Sequence, residues 1–273
     1  MKLLFAYFSA TGNTKKIADT MVKRFMEIGS QVERLDMTMP EARQPGMDLS
    51  IFDAAIFGSP IHSMRAPRLV REWLDSLDGA GMKCATFFTY GGFQVHPTHY
   101  DTRERLRRRG FTVVASAEFL GAHTFNLGGW QAMNSRPGDD DLKLAARYAE
   151  IIHGRFSGED MAVVGELNPG PYSEEQLDQF EGFRYKAVSQ LPTRSGAECS
   201  MCMLCQEECP AGAIEAKTGE AQAGKCICCL HCLQICPDEV LKINDMSGSF
   251  RFKMEKDKET PETLVKKKSK LYL

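Results

Sequence analysis

The chain has 273 residues, of which 43% are hydrophobic and 26% charged, with a formal net charge of -2. That is the balance of a soluble globular protein, and it argues against wholesale binding to nucleic acid. No apolar run approaches the length needed to cross a bilayer. The opening MKLLFAYF has too short an apolar part for a signal peptide and runs into SATGNT without a small-residue cleavage site. It reads as a buried strand, and the protein is expected to be cytoplasmic.

In chain order, short apolar runs alternate with longer amphipathic ones. A strand is predicted at 3–8. A helix follows at 13–29, with Ile17, Met21, Phe25 and Ile28 at helical spacing and Gly29 as its stop. Strands are predicted at 31–37, 52–60, 82–92 and 111–121. Helices are predicted at 67–77, opened by Pro67, at 98–110, stopped by Gly110, and at 140–156, which starts on acids. The alternation implies a doubly wound α/β domain, a five-stranded parallel sheet covered on both faces over residues 1–156. In such sheets a ligand sits off the carboxyl ends of the strands, which directs attention to the loops after residues 8, 58, 90 and 120.

Residues 157–196 show no strand pattern and read as a connecting segment. Its one helix would start at Ser173-Glu174-Glu175 and end before Pro192. Residues 197–245 form a cysteine-rich module. The lysine-rich tail, 246–273, is expected to be loosely ordered.

The first loop, SATGNT, offers the hydroxyls of Ser9, Thr11 and Thr14, the Asn13 amide and free backbone N–H groups at a helix N-terminus, with Gly12 permitting the turn. Such a site can hold a phosphate monoester without a lysine. Similar loops often serve only as helix caps. Neither a nucleotide P-loop nor a G-x-G-x-x-G fingerprint occurs, which disfavours nucleoside triphosphates and a conventional NAD fold. GSPIH (58–62) and TYGGF (89–93) supply glycines and aromatics suited to a flat ring.

These three loops resemble the flavodoxin family across 1–156. The resemblance implies FMN, with phosphate at Ser9, Thr11, Gly12, Asn13 and Thr14. Gly58, Ser59, Pro60 and Ile61 would face one side of the ring, and Tyr90, Gly91, Gly92 and Phe93 the other. Neither ring loop carries a tryptophan, unlike many flavodoxins. His62 and Tyr90 are candidate proton donors, although a histidine at such a place more often caps a loop or faces water. His96, His99 and His123 are weaker candidates. AHTFNLGGW (122–130) reads either as a lid near the flavin or, through Trp130, as a core anchor.

Eight of the ten cysteines fall into two C-x2-C-x2-C-x3-C-P runs offset by 27 residues, and Ile214/Leu241 follow the same shift. A disulfide framework would be spread over the fold, so the pattern points to metal. Four thiolates suit an iron–sulfur cubane, and in two-cluster ferredoxins the fourth cysteine of each run serves the other cluster. One cluster would take Cys199, Cys202, Cys205 and Cys236, and the second Cys226, Cys229, Cys232 and Cys209. Four-thiolate zinc is the alternative, although a third cysteine at the same step and the Cys-Pro ending are unusual for it. The module resembles bacterial 2[4Fe-4S] ferredoxins, small α+β domains. Cys84 and Cys228 lie outside the spacing and read as packed or surface thiols.

The two likenesses together resemble a family of fused flavodoxin/ferredoxin proteins. They imply two [4Fe-4S] clusters exchanging electrons with FMN and with a redox partner, a ferredoxin-type donor or an acceptor enzyme. The alternative is a flavin-dependent reductase of a small organic substrate. A homodimer, in which one chain's flavin meets the other's clusters, stays open. RERLRRRG (103–110) and KKKSK (266–270) are candidate docking sites for an acidic carrier, or solvated faces.

Overall fold

A computed structural model describes residues 1–183 and 189–273. Strands β1 (Lys2–Tyr7), β2 (Gln31–Asp36), β3 (Ala54–Pro60), β4 (Lys83–Tyr90) and β5 (Thr112–Leu120) are parallel and stand in the order β2-β1-β3-β4-β5. Helices α1 (Asn13–Glu27) and α4 (Asp139–Ser157) cover one face, and α2 (Arg68–Asp75) and α3 (Thr98–Arg108) the other. Each predicted element of this region lies within a few residues of its expected place. The inner strands are buried on both faces, and the apolar positions of α1 (Ile17, Met21, Phe25) pack on Phe5 and Phe87.

The connecting helix, α5, spans Glu174–Phe183, and the stretch expected to continue it at 184–188 lies outside the described residues. Its anchor is Arg65, 1% exposed, which donates from Nη2 to Asp178 Oδ1 at 2.5 Å and pairs with Glu181 at 3.3 Å. Arg71 joins Glu181 at 2.9 Å. A buried guanidinium is tolerated only where carboxylates meet it, so the segment is clamped to the α2 side of the sheet.

The cysteine module contains little regular structure: α6 (Leu204–Glu207), the hairpin β6 (Ile214–Glu215) with β7 (Glu220–Ala221), and α7 (His231–Ile235). Its sequence repeat is also a backbone repeat. Met201 and Met203 have φ of 58° and 65°, and their counterparts 27 positions on, Cys228 and Leu230, have 54° and 57°.

Two expectations are corrected. The tail is folded: α8 (Ser247–Lys256) and α9 (Pro261–Val265) lead into β8 (Lys270–Tyr272), and Thr260 caps α9 through Thr263. The sheet accordingly has six strands rather than five, since β8 pairs antiparallel with β5. Its three residues are too few to show a period of two, and the run of lysines before them masks the strand. A third core, with Phe125, Trp130, Cys228, Leu230, Met246 and Met254, joins sheet, module and tail. Among the described residues no helix is long and apolar enough to cross a membrane.

Candidate functional site

The carboxyl ends of β1, β3, β4 and β5 open into a cavity of about 410 Å³, within the range of ligand and cofactor sites. Ser9, Thr11, Asn13 and Thr14 line one end, Pro60, Ile61 and His62 a second wall, and Tyr90 and Gly91 a third. The helix start is suited to an anion. Gly12, with φ of 92°, occupies the N-cap of α1, and no side-chain cap bond is made from that position. Ser9 Oγ accepts from the Lys15 N–H at 2.9 Å, and Asn13 and Thr14, the first two residues of α1, line the cavity. Thr14 Oγ1 and Thr89 Oγ1 are 2.7 Å apart, and Asn13 Nδ2 donates to the Ala122 carbonyl at 2.8 Å, fixing the loop against β4 and β5.

Not every residue expected at the ring reaches the cavity. Gly58 and Ser59 are inside β3. A Cβ on Gly58 would stand 2.1 Å from the Phe87 ring, so the missing side chain serves core packing rather than ligand approach. Gly91 does line the cavity, and its missing side chain admits the His123 ring, 2.2 Å from an ideal Cβ. Gly92 packs on Met133. Phe93 sits among His123, Trp130 and Phe250, and lines a neighbouring chamber.

Sequence reasoning missed the roof. Ser249, Phe252, Lys253 and Lys256 of α8 line the cavity, as do Phe125 and Trp130. Trp130 is both lid and anchor: it stacks on His123 at 4.5 Å and donates from Nε1 to Ser249 Oγ at 2.9 Å.

His62 is buried in the wall and exchanges backbone hydrogen bonds with Arg65. The Tyr90 hydroxyl points away to Glu118 at 3.4 Å, and burial, then Glu118, push its pKa up. Glu118 is the centre of a buried network in which Tyr272 donates at 2.8 Å and His99 Nε2 at 3.1 Å. Since Nε2–H faces a carboxylate, His99 Nδ1 accepts from Ser116 Oγ at 2.6 Å. Burial would raise the Glu118 pKa, yet the bonds from His99 and Tyr272 bring it below the usual range. Burial lowers that of His99.

The eight run cysteines separate into two chambers. One is lined by Cys209, Cys226, Cys229 and Cys232, and the second by Cys199, Cys202, Cys205 and Cys236. Thus the fourth cysteine of each run lies with the first three of the other. Backbone N–H groups point at sulfur, from Ala213 to Cys209 at 3.3 Å and from Cys228 to Cys226 at 3.4 Å. Arg194 Nη1 donates to Cys199 at 2.6 Å. Burial pushes the Cys229 thiol up to about 12. Among the described residues, no group of three or more His, Cys, Asp or Glu is placed to hold a single metal ion. Cys84 and Cys228 are fully buried thiols outside both chambers.

Cys229 lines both its chamber and the large cavity, and Ile227 and Cys229 belong to the sheet's own core. Arg43 Nη2 donates to the Pro210 carbonyl at 2.6 Å and Arg68 to that of Gly224 at 3.0 Å, holding the module there. The charged runs are partly spent inside the fold. Arg105 pairs with Asp75 and Asp101, Arg103 and Arg107 with Glu104, and Lys267 with Glu259.

Fold and site define a flavodoxin-like domain at the N-terminus, with a cysteine-rich region behind it. Residues 4–120 match the model of a flavodoxin domain family, and that match supports FMN as its cofactor. Among solved structures, a flavodoxin from the domain Archaea is 20% identical, with a TM-score of 0.43 over 57% of this chain and 99% of that one. Flavodoxin 2 from Bacillus cereus is 22% identical, with a TM-score of 0.42 over 59% and 100%. Rubredoxin oxygen:oxidoreductase from Desulfovibrio gigas is 18% identical, with a TM-score of 0.44 over 58% and 36%. Among curated proteins, DNA-directed RNA polymerase subunit Rpo3 of Methanosarcina acetivorans is 35% identical over 72 residues, 24% of this chain. The chain spans only 27% of that relative's length.

Proposed function

We propose that the protein is a redox protein in which two [4Fe-4S] clusters exchange electrons with FMN and with a partner redox protein. The observation that carries this reading is Cys229, a wall of the large cavity and of a four-cysteine chamber at once. The donor sets fit the groups. Four thiols around a chamber, with N–H groups aimed at sulfur, suit a cluster larger than one ion, which favours iron–sulfur over zinc. A neutral thiol as buried as Cys229 gives up its proton when it binds metal. The start of α1, beside Ser9, Thr11, Asn13 and Thr14, suits the FMN phosphate, and the Ile61 and Tyr90 walls suit the ring.

When bound, the flavin supplies one- and two-electron chemistry, and the clusters one-electron chemistry. The residues of this chain set the spatial order. Cys202 is exposed and Cys229 buried, so one cluster would stand towards solvent and its neighbour against the flavin cavity. A ferredoxin-type donor or an acceptor enzyme would meet the outer one. Both chambers and the large cavity belong to one chain, with Cys229 between one chamber and the cavity.

The test is anaerobic purification followed by FMN, iron and sulfide analysis and EPR, then Cys209→Ser. Wild type is expected to hold one FMN and two [4Fe-4S] clusters. Cys209→Ser is expected to lose the inner cluster and slow flavin reduction by a reduced ferredoxin at least about tenfold. Zinc in place of iron, absent flavin, or an unchanged rate in the variant defeats the reading.

A second reading, a flavin-dependent reductase of a small organic substrate, is favoured by the roof of α8. It covers the cavity and leaves a second chamber alongside.

A further inference from the structure

Beside the large cavity lies a second one of about 310 Å³. The two share Ile61, Ser63, Tyr90, Gly91 and His123 as well as two lysines of α8, so the second opens on the walls assigned to the flavin ring. Its own surfaces are Met64, Phe93, Gln94, Tyr172 and Phe180, while Lys253 and Lys256 of α8 stand between it and the large cavity and line both. Tyr172 and Phe180 meet edge to face at 5.0 Å, and the Arg65 clamp holds their segment in place.

Three features define what this chamber suits. Its aromatic and thioether walls favour a flat, apolar body. Lys253 and Lys256 lie three residues apart on one helix and therefore on one face. No Asp or Glu contributes to the lining. Lys253 is held at 2.7 Å by Asp257 and stands 5.4 Å over the Phe93 ring, whereas Lys256 makes no ion pair among the described residues. The Gln94 amide adds both a donor and an acceptor. A cavity of this size, positive at one end and aromatic elsewhere, is more than a solvent entrance requires.

We propose that this second chamber binds a small planar organic carboxylate, held by Lys256 at its charged end and by Tyr172 and Phe180 along its body. The placement beside a flavin rests on the reading of the large cavity given above, but the binding itself does not.

The probe is 4-fluorobenzoate, with binding followed by 19F NMR on the full-length protein and FMN content measured on the same sample. Wild type is expected to bind it and to bind neutral 4-fluorobenzamide about tenfold more weakly, as one charged hydrogen bond requires. Lys256→Gln is expected to lower the benzoate affinity about tenfold without affecting benzamide, and Lys256→Arg to retain it. Equal binding of the two probes, or no benzoate binding at millimolar concentration, overturns the proposal. A chain that lacks FMN yet discriminates the probes removes the flavin reading alone. A flavin-loaded chain that binds no benzoate removes this one alone.

Discussion

The N-terminal sheet and the cysteine module are held together by different physics. The sheet buries Phe5, Phe25, Phe87, Phe119 and Tyr148 on one face and Phe8, Phe57, Trp73 and Phe88 on the other. Apolar burial of that extent, about 25 cal/mol per Å², suffices to order a chain without a ligand. The module has helices of four and five residues and a hairpin of two-residue strands. At each repeat it also holds two non-glycine residues at positive φ, a conformation that costs about 1 kcal/mol or more apiece. Something besides burial must offset that cost, and the eight thiols around two chambers are the means available. One region is organised by its side-chain pattern, the second, on the proposed reading, by what it would ligate.

The most severe way to break this contrast is chelation, which would remove the proposed clusters. Anaerobic chelation is expected to abolish amide exchange protection across 193–245 while leaving β1, β3 and β4 protected, because metal binding in such modules is itself folding energy. Protection that survives in the module after chelation would mean that its backbone is self-supporting. Within the sheet the sensitive point is packing rather than ligation. Gly58→Ala places a methyl group 2.1 Å from the Phe87 ring, and the overpacking is expected to destabilise the protein by about 3 kcal/mol. Urea unfolding monitored in the far ultraviolet measures it, and an unchanged midpoint would show that Phe87 yields freely.

The smallest effect is a pH dependence confined to the sheet's edge. His99 is neutral and its folded pKa is lowered, so the unfolded chain binds the extra proton first. Stability is therefore expected to fall as pH drops through about 6.5, the unfolded histidine value. The lowered Glu118 contributes stability that is present above the unfolded carboxyl pKa and lost as pH falls through its folded one. A shift of about 3 °C in Tm per kcal/mol makes both visible by calorimetry. His99→Gln is expected to flatten the upper step and Glu118→Gln the lower, and a profile identical in all three proteins would count against both assignments.

The same contrast explains what could be read beforehand. Periods of 3.6 and 2 mark the sheet and its helices because burial selects residues by face. The grouping of each fourth cysteine with the other run follows the spacing of the sequence, and the backbone repeat at Met201/Cys228 and Met203/Leu230 follows the 27-residue offset. Long-range neighbours leave no such trace. Nothing around Lys253 announces that α8 lies over loops more than a hundred residues before it, and Gly58 looks alike whether it admits a ligand or Phe87. Tyr272 reaches Glu118 across 154 positions of sequence through a strand of three residues.

That separation also sets a clock on synthesis. At about 5–20 residues per second, β5 emerges roughly 8 to 30 seconds before the strand that completes its edge. For that interval its outer N–H and C=O groups stand open to a neighbouring nascent chain. The roof of the large cavity, built from the same late segment, is also missing. A cofactor arriving during translation would therefore meet an open trough, and one arriving afterwards a cavity roofed by α8.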